Sequence, residues 1–262
     1  MKLTPPKIRS YKQDGRKIVM LTAYDYPGAK LLDEAGTDII LVGDSLGNVV
    51  QGKATTLPVT LDEIIYHAEM TARAVTNALV AVDLPFPYCQ LGPDEAVRAG
   101  ARILKETLAD AVKFEGGENR SATIAALTAA GIPVLGHCGL RPQDIRQNGS
   151  YQVQRQRESL FKDIEAVEKA GVFAIVLECL ESELAREATQ VLSVPTIGIG
   201  SGPHTDGQVL VFHDVLGYSA GGTKIPRHVK QYADLRTVIT EAVKQYADEV
   251  RGGIFPAKEN SF

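Results

Sequence analysis

The sequence predicts an α/β chain closed into a single-domain (β/α)8 TIM barrel, and three observations carry that expectation. Eight short apolar, β-branched runs recur along the chain, helix-like stretches separate most of them, and the runs are hydrophobic throughout rather than alternating. A parallel strand covered on both faces needs continuous hydrophobicity, whereas a strand with one wet face alternates. Regular alternation of such strands with helices defines the parallel-sheet class, in which about 250 residues is a usual barrel length. A doubly wound open sheet shares this periodicity and remains the alternative.

The strand runs are residues 18–23, 39–42, 79–82, 111–114, 133–135, 174–177, 196–199 and 209–212. Each is too short for a helix, and polar or glycine-containing turns bound most of them. In 60–77, Leu61, Ile64, Ile65, Ala68 and Ala72 recur at helical spacing, and Thr60 with Glu63 has the pattern of a capping box. The stretch 93–109 opens on Pro93, tolerated in a first turn, and sets Ala96, Ala99, Ile103 and Leu104 on one face. Helices are expected likewise over 118–130, 159–170, 183–192 and 232–251. Gly36, Gly131 and Gly171 each follow an alanine and are expected as left-handed helix caps. The glycine-rich 217–229 reads as a loop over the barrel mouth, and 252–262 has no periodic pattern. No composition shift marks a second domain, so 1–262 is expected as one barrel with a short N-terminal extension and a C-terminal tail.

Composition narrows the class of partner. A net charge of −4 on a mixed surface argues against nucleic acid or an anionic membrane. No run approaches the roughly 20 apolar residues of a membrane span. The basic, polar start lacks the apolar core of a signal peptide, so a cytoplasmic protein is expected. Cys89, Cys138 and Cys179 show no CxxC spacing and read as buried, reduced thiols.

A parallel barrel gathers its chemistry at the carboxyl ends of its strands. In order those ends carry Tyr24 and Asp25, Gly43-Asp44-Ser45, Asp83, Lys113 with Glu115, His137, Glu178, Gly200-Ser201-Gly202 and His213-Asp214. Charge at the end of a buried strand is costly unless paired, hydrogen-bonded or bound to metal. Asp44, Asp83 and Glu115 follow neighbouring strands and repel one another, a conflict that a hard cation resolves. With oxygen ligands alone, Mg²⁺ is the first choice and Mn²⁺ the second. Taken singly, each carboxylate has helix capping or pairing with a lysine as its alternative role. Lys113 points to the same side of its strand as Glu115 and is placed to hold an anionic substrate; an ion pair with Asp83 or Glu115 is the alternative. Ser45 offers a hydroxyl and a backbone N–H to the same anion. Glu178 ends the apolar run AIVL, where burial would raise its pKa into the range of a general base. His137 reads either as a substrate contact or as a satisfied core residue. The glycines of GIGSG, 198–202, permit either phosphate binding or the close approach of a bulky ligand.

Several ordered segments carry a resemblance: GDSLGNVVQGKATTLPVTLDEI (43–64), VDLPF (82–86), VKFEGG (112–117), GHCGLRPQ (136–143), VLEC (176–179) and GIGSGPHTDGQVLVFHDVLG (198–217). Together they resemble the ketopantoate hydroxymethyltransferase family over nearly the whole chain. Asn48, Lys53-Ala54, 86–89 and Arg141 depart from the residues usual there. The resemblance implies a barrel of the phosphoenolpyruvate mutase/isocitrate lyase-like type. It implies transfer of a hydroxymethyl group from 5,10-methylenetetrahydrofolate to 3-methyl-2-oxobutanoate, giving 2-dehydropantoate for pantothenate biosynthesis. Asp44, Asp83 and Glu115 match the metal site, with Asp44 and Asp83 also near the substrate. Ser45 and Lys113 match the oxo-acid contacts and Glu178 the base. A homo-oligomer, with a decamer as one implied size, completes the expectation. Two alternatives remain: a 2-oxo acid lyase, against which Cys138 lacks the flanking lysines of a KKCGH-like motif, and a catalytically silent barrel, against which all the acidic residues are present.

Overall fold

Eight parallel strands close on themselves in chain order in the computed structural model. They are β1 Ile18–Thr22, β2 Ile39–Val42, β3 Leu79–Asp83, β4 Ala111–Glu115, β5 Val134–Gly139, β6 Ala174–Glu178, β7 Thr196–Ile199 and β8 Gly207–Leu210. Closure runs from Ile18↔Gly207 to Leu21↔Leu210, so the open-sheet alternative is excluded. The structure describes residues 2–149, 153, 155–218 and 225–262. These fall into two compact units, Met1–Val211 and Phe212–Phe262. No described helix is long and apolar enough to cross a membrane.

The first unit contains the barrel and helices α1 Pro5–Ser10, α2 Tyr26–Glu34, α3 Leu46–Val49, α4 Leu61–Ala74, α5 Pro93–Glu106, α6 Ser121–Ala129, α7 Ile145–Asn148, α8 Arg157–Lys169 and α9 Ser182–Val191. The signals read from the sequence are visible in the caps. Thr60 and Glu63 exchange hydrogen bonds in a capping box at the start of α4. Pro93 opens α5, and Gly36, Gly131 and Gly171 have positive φ. The second unit contains α10 Phe212–Val215 and α11 Leu235–Arg251, and no residue of α11 is buried. The loop expected over 217–229 lies in part, at 219–224, outside the described residues.

One layer of the barrel core explains why the charged residues end where they do. Ile18, Met20, Ile39, Leu41, Leu79, Ala81, Ala111, Leu135, Ala174, Val176, Ile197 and Val209 form a buried cluster, with Ile8 and Tyr11 of the α1 region packed into it. Strand side chains alternate in direction, so two residues beyond an inward apolar position is another inward position. On β3 that step leads from Ala81 to Asp83, on β5 from Leu135 to His137, and on β6 from Val176 to Glu178.

Two strands, the eighth and the fifth, differ from the sequence expectation by more than one residue. The eighth strand, expected at 209–212, runs from Gly207 to Leu210, and Phe212 begins α10. A Cβ on Gly207 would lie 2.4 Å from the Ile18 carbonyl oxygen. The glycine is therefore required by the closing strand pair itself. The fifth strand, expected to stop at Leu135, continues to Gly139 because Gly136, His137, Cys138 and Gly139 pair in register with residues 175–178 of β6. Gly136 admits the close approach of α8: a Cβ would meet Val167 at 2.6 Å.

Candidate active site

Asp44, Ser45, Asp83, Lys113, Glu115, His137 and Glu178 all line one pocket of about 210 Å³ at the carboxyl ends of the strands. The register places them: Lys113 pairs with Asp83, and Glu115 with His137, on adjacent strands. Asp44 lies two residues beyond β2, in the turn that starts α3. A Cβ on the preceding Gly43 would lie 2.8 Å from Ser45 Oγ and 3.3 Å from Asp83 Oδ2, so a side chain here would displace the Ser45 hydroxyl. Leu41, Val176, Ile199, Val209 and Leu210 add apolar lining to the same pocket.

The charges interlock. Lys113 Nζ lies 2.7 Å from Asp83 Oδ1 and 3.8 Å from Glu115 Oε1. The other Asp83 oxygen accepts from the Asp44 backbone N–H at 3.0 Å. His137 stands between two acids, with Nδ1 3.6 Å from Glu115 Oε1 and Nε2 3.2 Å from Glu178 Oε2. Neither ring nitrogen is aligned for a hydrogen bond, so the contact is one of charge. Burial opposes the Lys113 charge, but Asp83, Glu115 and Asp44 outweigh it and hold the ammonium above the ordinary lysine value. His137 is held at about 9, because Glu115 and Glu178 outweigh burial and the Lys113 charge. Burial also opposes the Glu115 charge, but His137, Lys113 and the Gln143 N–H outweigh it and keep that carboxyl low. Asp44 moves the other way: burial, then Asp83 and Glu115, push it up to about 8.

A third buried acid is therefore left without a matching positive charge. Lys113 serves Asp83, His137 serves Glu115, and Asp44 carries the excess. The oxygen-only set of Asp44, Asp83 and Glu115 fits a hard divalent cation in its chemistry. Among the described residues no three His, Cys, Asp or Glu side chains are already grouped as metal ligands, so the fit is one of donor chemistry.

Several sequence expectations are corrected or refined by position. Asp25 does not reach the pocket; its side chain accepts from Gly28 N at 2.8 Å and caps α2. The ion-pair alternative for Lys113 is realised with Asp83. The burial read for Glu178 from the sequence is incomplete: at the last position of β6, 17% of its side chain is exposed. The 198–202 glycine segment contributes only Ile199 to the pocket, while Ser201 Oγ donates to the Leu177 carbonyl and Gly202 packs on Ser182. His213 lies in α10, in the second unit. Two residues of the site went unassigned. Tyr24 hydroxyl is 2.8 Å from Ser45 Oγ, and Gln143 donates to Asp44 and Glu115. The only sequence signal for Gln143 was its place in the 136–143 segment.

The fold is a closed parallel barrel with a ring of acids at its strand ends, and solved structures of low sequence identity share that fold, a member of the phosphoenolpyruvate mutase/isocitrate lyase superfamily among them. A 2,3-dimethylmalate lyase of that superfamily superposes with a TM-score of 0.63 at 16% identity, covering 100% of this chain and 93% of its own. A phosphoenolpyruvate phosphomutase from Streptomyces platensis subsp. rosaceus gives 0.64 at 15% identity, over 96% and 88%. The ketopantoate hydroxymethyltransferase family model matches residues 2–258. A 3-methyl-2-oxobutanoate hydroxymethyltransferase from Rhodopirellula baltica is 51% identical over 100% of this chain and 96% of its own length. The enzyme of that name from Trichlorobacter lovleyi is 51% identical over 100% and 98%. The chain belongs to the ketopantoate hydroxymethyltransferase family, and it is an enzyme.

Proposed function

We propose that this chain transfers a hydroxymethyl group to 3-methyl-2-oxobutanoate, with 5,10-methylenetetrahydrofolate as donor, and so forms 2-dehydropantoate for pantothenate synthesis. The observation that carries the proposal is one pocket lined by both charged and apolar side chains, Lys113 and the acids together with Val176, Ile199 and Val209. A branched 2-oxo acid has the matching polarity, an anionic oxo-carboxylate head on an isopropyl group.

Asp44, Asp83 and Glu115 would hold a divalent cation, Mg²⁺ or Mn²⁺, and such an ion would polarise the 2-oxo group and lower the cost of an enolate. Lys113 and Ser45 orient the oxo-carboxylate head, and the apolar lining excludes water from the reacting carbon. Glu178 removes the proton at C3, and His137, 3.2 Å away, holds that carboxyl in place. The enolate carbon then bonds to the one-carbon unit, the carbon–nitrogen bonds to the folate break, and water supplies the hydroxyl.

The test follows the C3 proton of 3-methyl-2-oxobutanoate by NMR in D₂O, with and without Mg²⁺, before the folate donor is added. Metal-dependent exchange is expected, abolished in Glu178→Gln, with product formed on adding the donor. Exchange without product would refute the donor; no exchange in folded, Mg²⁺-loaded protein would refute the substrate.

A further inference from the structure

We infer that Gln143 is a positioning residue that fixes the spacing of the Asp44 and Glu115 carboxylates for the cation, an inference that rests on the metal reading proposed above. Gln143 is 3% exposed and lies in the 3-10 turn Pro142–Asp144 after β5. Its backbone N–H donates to Glu115 Oε2 at 3.1 Å. Its side-chain amide donates to Asp44 Oδ2 at 3.1 Å and to the Leu84 carbonyl oxygen at 2.9 Å. One residue from beyond β5 thus ties together the ends of β2, β3 and β4.

The orientation of the amide is determined by its neighbours. Both of its N–H groups meet oxygens, and turning it over would set its own oxygen against the Leu84 carbonyl, which only accepts. The turn that presents it is braced in turn. Asp144, 8% exposed, accepts from Arg120 Nη2 at 2.8 Å and lies 2.9 Å from Arg141 Nε. Arg120 Nη1 donates to the Glu115 carbonyl oxygen at 3.2 Å, so the loop is anchored on the strand end whose carboxylate it also holds. Arg141, a departure from the family pattern, takes part in this brace.

Two like charges in one pocket repel, and donors shared between them offset that repulsion while fixing both oxygens. Groups that orient metal-binding side chains in this way are worth about 10–100-fold in metal affinity. Simple packing is the competing account of a buried glutamine, and a change that keeps volume separates the two.

The experiment titrates Mg²⁺ alone into the purified full chain by calorimetry, for wild type, Gln143→Ala and Gln143→Met, with thermal melts alongside. Methionine keeps the approximate volume and the backbone N–H and removes the side-chain donors, along with the amide oxygen that accepts from Gln90 Nε2 at 3.4 Å, so it reads the inference even where alanine prevents folding. Folded variants are expected to bind Mg²⁺ about 10–100-fold more weakly. Their C3 exchange recovers at saturating Mg²⁺ with an unchanged KM for the oxo acid. A folded Gln143→Met protein that binds Mg²⁺ as tightly as wild type, or more tightly, overturns the inference and leaves the metal reading standing. A wild type that binds no Mg²⁺ overturns both.

Discussion

At Lys113 a single ammonium group, 6% exposed, stands among Asp83, Glu115 and Asp44. Removing one partner of a buried charge cluster leaves the others unpaired, which typically costs about 3–5 kcal/mol. Lys113→Met is therefore expected to lower unfolding free energy by about that amount in urea titrations. A loss near zero would mean that the acids are neutral in the folded protein. Asp44 adds a pH dependence with a definite sign. Its folded pKa, about 8, lies above the ordinary carboxylate value, so the folded chain binds this proton more tightly than the unfolded chain. Stability without metal is then present in full at low pH and falls as pH rises from about 4 towards about 8. Thermal melts in chelator should show that fall, and Asp44→Asn should flatten it. An unchanged slope in the variant would assign the titration to another group. Residue types and strand-end placement made the acids, Lys113 and Glu178 legible in the sequence. Gln143 was not legible, because a glutamine carries no charge signature and its partners come from three other strand ends.

Among the elements, α2 is fastened to the turn before β3 through Asp33. This carboxylate, 3% exposed, accepts from Thr76 N at 3.0 Å, Thr76 Oγ1 at 2.9 Å, Asn77 N at 3.0 Å and Ala78 N at 2.7 Å. Burial opposes its charge, and these donors outweigh burial, so its pKa falls to about 2. A depressed carboxylate contributes stability above its unfolded pKa and loses it as pH drops from about 4 to about 2. The shift corresponds to roughly 2 kcal/mol. Asp33→Asn should be less stable at neutral pH and should show a shallower acid transition in circular dichroism; an identical acid limb would remove Asp33 as its source. The capping box of α4 is a smaller device. Thr60→Ala should cost about 1 kcal/mol, read from denaturant midpoints at constant slope. That box was readable because its two partners stand three residues apart. The Asp33 clamp was not, since it joins residues 43 to 45 positions apart.

Across the whole molecule, α11 exposes Val238, Ile239, Val243, Tyr246 and Val250. The homo-oligomer implied by family resemblance predicts a sedimentation mass that is a multiple of the 28.2 kDa chain, and a monomer would refute it. Strand number and the ring of acids follow from patterns within about ten residues of sequence, because direction on a strand has a period of two, whereas closure, which that periodicity leaves open, is decided by the pairing of β1 with β8. The sequence by itself determined that inward positions change from apolar to charged at each strand end. Only the tertiary structure decided which charge meets which. Pairings such as Lys113 with Asp83, His137 between Glu115 and Glu178, and Gln143 across to Asp44 depend on strand register and on the packing of loops from distant parts of the chain. Those are fixed by close approaches, at Gly207 against Ile18 and Gly136 against Val167, whose partners lie far away in sequence.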